Sequence, residues 1–192
     1  MADLYDDREE DVPLARRLRL SIRVSNFSQT ELYGAPEVQL SIGAFIGDRP
    51  LFAPAVYGSG APNYDWIAPG HFYGEDDGYE ILFGLRSLLR DGEEFDVTAT
   101  PDPFFRLVIA GDVFRPSTPE KTMKETSFDV LLIVQHGGAW AGVAMGYAGP
   151  AMMLSVTRQA LETFYSDLLA EALACEWHDT MSKDWLRKEF GI

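Results

Sequence analysis

Arg16-Arg17-Leu18-Arg19-Leu20-Ser21-Ile22-Arg23-Val24 alternates without a break. Leu18, Leu20, Ile22 and Val24 take one phase; Arg17, Arg19, Ser21 and Arg23 take the other. A period of two sends successive side chains to opposite faces of a pleated strand. The stretch therefore reads as a half-buried strand with one apolar and one basic face. Residues 37–46 (E-V-Q-L-S-I-G-A-F-I) repeat the pattern through Val38, Leu40 and Ile42, which predicts a paired partner strand. Asn26 and Gly34 mark turns in the long connection between them. Upstream, residues 1–12 carry Asp3, Asp6, Asp7, Glu9, Glu10 and Asp11 against one Arg8. They read as an acidic flexible tail that could fold back on the basic face of the strand that follows; the simpler reading is that neighbouring carboxylates cover that face. Residues 13–192 read as a single domain.

Downstream the punctuation changes. Residues 47–79 are crowded with glycine, proline and aromatic residues and predict one long irregular loop. Residues 80–90 place Ile81, Leu82, Leu85, Leu88 and Leu89 at helical spacing, with Gly92 just past the end. Asp76 and Asp77 lie upstream, where carboxylates favour a helix N-terminus. Residues 94–100 and 104–111 predict two strands, and 115–126 a polar loop. Residues 127–135 (S-F-D-V-L-L-I-V-Q) form the most apolar strand, placed at the centre of the sheet. With 140–147 and 151–156 they predict a three-stranded antiparallel meander. Thr157 is placed to N-cap a helix over 158–174, whose apolar stripe runs Leu161, Phe164, Leu168, Leu169, Ala172, Cys175. A short helix over 182–190 ends the chain. The fold class is α+β: a mostly antiparallel sheet of about six to seven strands with two main helices packed on it and a short C-terminal helix. Strands come in runs and no G-x-G-x-x-G is present, which argues against a dinucleotide-binding sheet.

Composition narrows the function. The chain has 192 residues, 46% of them hydrophobic, and 30 acidic against 16 basic side chains leave a net charge of −14. That charge repels phosphate backbones and anionic lipid, which argues against nucleic-acid and membrane partners. It attracts a cationic partner and speeds encounter with it. Cys175 is the single cysteine, so no internal disulfide is possible. An acidic N-terminus without an apolar segment is not a secretory signal. Both point to the cytoplasm.

The candidate chemistry is thin. Gln135-His136-Gly137-Gly138 resembles the oxyanion strand of esterases, but no G-x-S-x-G elbow follows it. A glycine hairpin turn explains the stretch more economically. His71, His136 and His178 lack metal-ligand spacing, and Glu75-Asp76-Asp77 with Asp65 read as a solvated acidic turn rather than a calcium loop. Glu93 and Glu94 are adjacent on a strand and point apart. Cys175 reads as a small buried hydrophobe. These readings predict no catalytic residue, no metal and no cofactor.

From residue 80 to 175 the order of elements carries a set of punctuating motifs: Leu85-Arg86-Ser87-Leu88 closing a helix, a P-x-x-x-L-x-I strand from Pro103 to Ile109, and a Leu154-Ser155-Val156-Thr157 strand end. A final amphipathic helix follows with Phe164, Leu168 and Glu171. This order resembles small immunity proteins of bacterial polymorphic toxin systems, the WapI-like type in particular. The resemblance implies a non-enzymatic protein that neutralises a cognate toxin by binding it, with a basic toxin domain as partner. On that reading the partner-binding residues are those of the aromatic loop: Tyr57, Tyr64, Asp65, Trp66, Tyr73, Glu75, Asp76 and Asp77. Rigid aromatic surface and carboxylates lie together there. Two alternatives stand beside it: a hydrolase or other enzyme with a dispersed site, and a structural or assembly subunit of a phage or secretion system.

Overall fold

The computed structural model describes residues 2–7, 11–29, 36–51, 72–77, 80–92, 95–99, 104–111, 127–135, 151–175 and 180–192. Leu18–Val24 of the alternating stretch lie in β2 (Leu18–Gln29), antiparallel to β3 (Pro36–Ile46), whereas Arg16 ends a short 3-10 turn (Leu14–Arg16) and Arg17 caps it, so the strand starts two residues later than the alternation predicts. Leu20, Ile22 and Val24 of β2 are buried, as are Leu40, Ile42 and Ala44 of β3. Both strands run further than their alternation indicates. Asn26, read as a turn residue, stays in β2, where the register shifts between Val24 and Asn26. Such a bulge breaks the period without ending the strand.

The expectation of a flexible tail over 1–12 fails for its first residues. Ala2–Tyr5 form β1, antiparallel to β2, with Leu4 opposite Leu20 and Ala2 opposite Ile22. Ala2 and Leu4 are fully buried, which holds a strand that charge alone would leave in water. The single irregular loop over 47–79 is also corrected. β4 (Arg49–Pro50) closes a tight hairpin on β3 through Gly47, whose φ of 59° suits glycine. β5 (Phe72–Asp77) pairs with β3 from Glu37 to Ile42. Glu75, Asp76 and Asp77, read as an acidic turn, are therefore strand residues. The sequence Phe72-Tyr73-Gly74-Glu75-Asp76-Asp77 has no apolar alternation, so only its pairing partner reveals it as a strand.

After α1 (Glu80–Asp91) come β6 (Phe95–Ala99), β7 (Phe104–Gly111), β8 (Ser127–Gln135) and β9 (Ala151–Thr157). These form a second sheet in the order β6-β7-β8-β9, all antiparallel, so the described residues make two sheets where one was expected. β8 is central, as its apolar sequence predicts. The three-stranded meander is overturned: β8 pairs directly with β9, Ser127 opposite Thr157. A meander would have run those two strands parallel and apart. Residues 140–147 lie outside the described residues.

Helix α2 (Arg158–Ala174) begins where predicted, with the Thr157 hydroxyl accepting from the Ala160 N–H at 3.2 Å. Leu161, Phe164, Leu168 and Ala172 are buried, while Leu169 and Cys175 are half-buried. The last helix, α3 (Thr180–Phe190), buries Leu186. Among the described residues, both sheets and the three α-helices feed one core, in which Phe164 is the largest fully buried side chain. The class is α+β. Among the described residues no helix is long and apolar enough to cross a membrane.

Candidate interaction surfaces

Arg19 shows how the basic face of β2 is used. Its guanidinium lies 3.2 Å from Asp3 of β1 and 3.8 Å from Asp48 in the β3–β4 turn. It donates to the Gly47 carbonyl at 3.1 Å and stacks over the Phe45 ring, 4.6 Å from its centroid. Stacking and a planar fork are what arginine offers and lysine does not. At Arg19 this face is covered by the tail itself, through Asp3 of β1, together with Asp48, so the tail folds back where neighbouring carboxylates were the simpler expectation. On the same face lie Ser21 of β2 and Ser41 of β3, both fully buried, and Phe45, directly across from Arg19 and nearly so. The hydroxyls of Ser21 and Ser41 have no partner among the described residues.

The N-terminal carboxylates join the two sheets. Asp6, itself buried, accepts from the Ser155 N–H at 3.3 Å, and Asp7 accepts from the Thr157 N–H at 2.6 Å. Residues two apart on a strand send their N–H groups the same way, so this acidic pair satisfies two donors on the free edge of β9. At the other end of β1, beyond the reach of its pairing, α2 takes over. Glu171 accepts from the Val24 N–H at 3.1 Å, and the Cys175 thiol donates to the Val24 carbonyl at 3.3 Å. Burial pushes that thiol up to about 11, against the lowering pull of Arg23 and Lys183. It stays protonated and donates, the opposite of what a nucleophilic cysteine needs.

The other ion pairs among the described residues follow the same plan. Arg106 of β7 grips Asp96 of β6 through both nitrogens, and this hydrogen bonding holds the Asp96 carboxyl below its ordinary value. Arg90 does the same to Asp91. Arg158 pairs with Glu162 at 2.9 Å and also donates to the Leu89 carbonyl. Arg86 stacks between Phe83 and Phe190 and donates to the Glu189 carbonyl at 2.7 Å, which ties α3 to α1. Each of these arginines is engaged within the chain. Asp48, Asp167 and Asp184 are exposed.

The expected partner-binding residues divide. Tyr57, Tyr64, Asp65 and Trp66 lie outside the described residues, as do His71, His136 and His178. Tyr73, Glu75, Asp76 and Asp77 lie on β5, at positions paired with Ser41, Gln39, Val38 and Glu37. No three His, Cys, Asp or Glu residues gather to hold a metal ion among the described residues. Sequence reasoning missed the roles of Asp6 and Asp7, because an acidic run near a terminus signals solvation and only the partner edge reveals capping. No protein-family model, curated protein or solved structure matches this chain.

Proposed function

We propose that the protein is a non-enzymatic binding module that neutralises a basic partner, in the manner of an immunity protein occluding its toxin in the cytoplasm. The observation that carries this reading is the disposition of charge. Arg19, Arg86, Arg90, Arg106, Arg158 and Arg187 are each engaged by the chain's own carboxylates. The 30 acidic side chains outnumber the 16 basic ones, so the surplus is carboxylate. Such a surface steers a cationic protein toward it and rejects anionic competitors. The element order over 80–175 supports the immunity-type reading.

The test uses the full chain as bait against the products of adjacent reading frames. A basic protein is expected to bind stoichiometrically and lose its activity. Its association rate should fall steeply as NaCl rises through the range in which the screening length shortens from about 30 Å to 8 Å. Turnover of any substrate by the isolated chain, or a partner whose association ignores salt, would overturn the reading.

A further inference from the structure

The second sheet has two unlike faces. Phe95, Val97, Leu107, Ile109, Phe128, Val130, Leu132, Met152, Leu154 and Val156 alternate into the core and are at most 5% exposed. The opposite phase is expected to be polar, because an antiparallel sheet packed on one side shows water its other side. Here it is apolar at the centre. The register aligns Asp96, Val108, Leu131 and Met153 in one row across all four strands, with Ile133 of the next row beside them and Arg106, itself neutralised by Asp96, opposite Ile133 on the same face. Val108, Leu131 and Ile133 are only half-buried, and Met153 is 43% exposed. Val108, Leu131 and Ile133 are neither in that core nor among the partly buried side chains packed on it, and Met153 makes a contact of its own within the chain. Aliphatic side chains clustered on a partly exposed sheet face are the usual mark of an interaction surface.

The charge beside this row indicates what would fit there. Asp129 sits in the adjoining row, between Ala110 and Ser155, half-buried. Its carboxylate has no hydrogen bond or ion pair among the described residues. Asp96, at the end of the apolar row, is by contrast already held by Arg106. A half-desolvated carboxylate next to aliphatic surface complements a lysine or arginine whose stem packs on the apolar row. From strand spacing and rise, four strands by six residues cover roughly 400 Å².

We propose that this face, with Val108, Leu131, Ile133 and Met153 as its apolar floor and Asp129 as its charge anchor, is where the cationic partner docks. The inference rests on the reading of the protein as a module for a basic partner, and adds the place and the chemistry of the contact.

Two synthetic peptides test it on the full chain: one alternating leucine and lysine, and one of lysine alone with equal charge. The leucine-lysine peptide is expected to bind at low salt, and the lysine peptide about tenfold more weakly or worse, since it lacks the apolar contact. Asp129→Lys and Met153→Arg should each weaken the leucine-lysine peptide about tenfold. Asp167→Lys makes the same charge change on the exposed side of α2 and should cost no more than about threefold. Met153 is exposed, so its variant keeps the proposal testable if Asp129→Lys perturbs the fold. Equal binding by all variants would discard this face while leaving the charge-based reading standing. Binding of neither peptide would remove both. A dimer that dissociates on Met153→Arg would give the face to a second copy and likewise overturn the proposal.

Discussion

Cys175 closes the apolar stripe of α2, yet its chemistry is that of a hydrogen-bond donor. Burial raises the thiol from an ordinary 9.0 to about 11, so near neutral pH it is S–H and points at the Val24 carbonyl. Reaction with a disulfide reagent at pH 8 is therefore expected to be slow in the native protein. It should reach the rate of an ordinary thiol only when denaturant exposes the residue. A fast native reaction would show that the group is not buried as described. The pH dependence has a definite sign. The folded state holds the thiol proton more tightly than the unfolded state, so the stabilisation is complete below about pH 9 and is lost as pH rises through about 11. Cys175→Ala removes that extra loss in the alkaline range, and at pH 7 it should cost on the order of 1 kcal/mol for the missing hydrogen bond and packing. Reading Cys175 as a small buried hydrophobe came from its place on the stripe. The Val24 carbonyl could not be foreseen, because it depends on where a bulge 151 residues upstream leaves the β2 edge open.

At the scale of elements, the contact between α1 and β6 turns on a glycine. Gly84 lies inside the helix, where replacing glycine by alanine ordinarily stabilises by about 1 kcal/mol. A Cβ built on Gly84 would, however, stand closer than 3.0 Å to the ring of Phe95, a buried residue of β6. Overpacking of this kind costs typically 1–3 kcal/mol, so space outweighs propensity and Gly84→Ala is expected to lower the midpoint of urea unfolding. A rise in the midpoint would mean that Phe95 has room to turn. The strand β1 carries a second prediction. It contributes Ala2 and Leu4 to the core and brings Asp6 to the Ser155 N–H. Leu4→Ala should cost about 2–5 kcal/mol by the cavity it leaves. Asp6→Ala should cost about 1–3 kcal/mol by orphaning a buried donor on the β9 edge. If both act through β1, amide exchange at Ile22 and Ser155 should quicken in either variant while that of β7 stays protected. These elements also show what periodicity can and cannot carry. β2, β3, β7, β8, α1 and α2 are long and alternate or repeat clearly, so their places were legible. β1 and β5 are four and six residues long and acidic, and each is a strand only because a neighbour's edge receives it. The partition into two sheets was illegible for the same reason: strand pairing over long separations leaves no local signature. Of the expected partner-binding set, Tyr73, Glu75, Asp76 and Asp77 have a described backbone, and it is a strand rather than a loop. The apolar outer face of the second sheet did leave a trace, in Leu131 and Ile133, which occupy the phase of β8 that an amphipathic strand would make polar.

For the whole molecule the deciding quantity is the net charge of −14. Two electrostatic terms respond to salt with opposite sign. The ion pairs on the surface, such as Arg158–Glu162 and Arg187–Asp184, weaken as salt screens them, but exposed pairs of this kind contribute about 0–1 kcal/mol each. Repulsion among the surplus carboxylates opposes the compact state and is also screened. Spreading that charge over a sphere with a radius of about 20 Å gives a self-energy of roughly 6 kcal/mol at physiological ionic strength. The corresponding figure is about 12 kcal/mol at 0.01 M and about 3 kcal/mol at 1 M. The unfolded chain keeps part of this repulsion, since its charges spread apart without vanishing, so only a fraction counts toward stability. Even a third of the change between 0.01 M and 1 M is about 3 kcal/mol, comparable with the most that the scattered pairs can lose. The arginines that hold the fold most firmly are also partly shielded from salt: the Arg19 side chain is 14% exposed beside Asp3. Net stability is therefore expected to rise with NaCl. Thermal melts at pH 7 should show the midpoint climbing by several degrees between 0.01 M and 0.5 M, since about 1 kcal/mol shifts the midpoint of a domain this size by roughly 2–4 °C. The same salt should slow association with a cationic partner. Folding and binding are thus set against each other, and a midpoint that fell with salt would mean that internal pairing, rather than surplus negative charge, governs the surface.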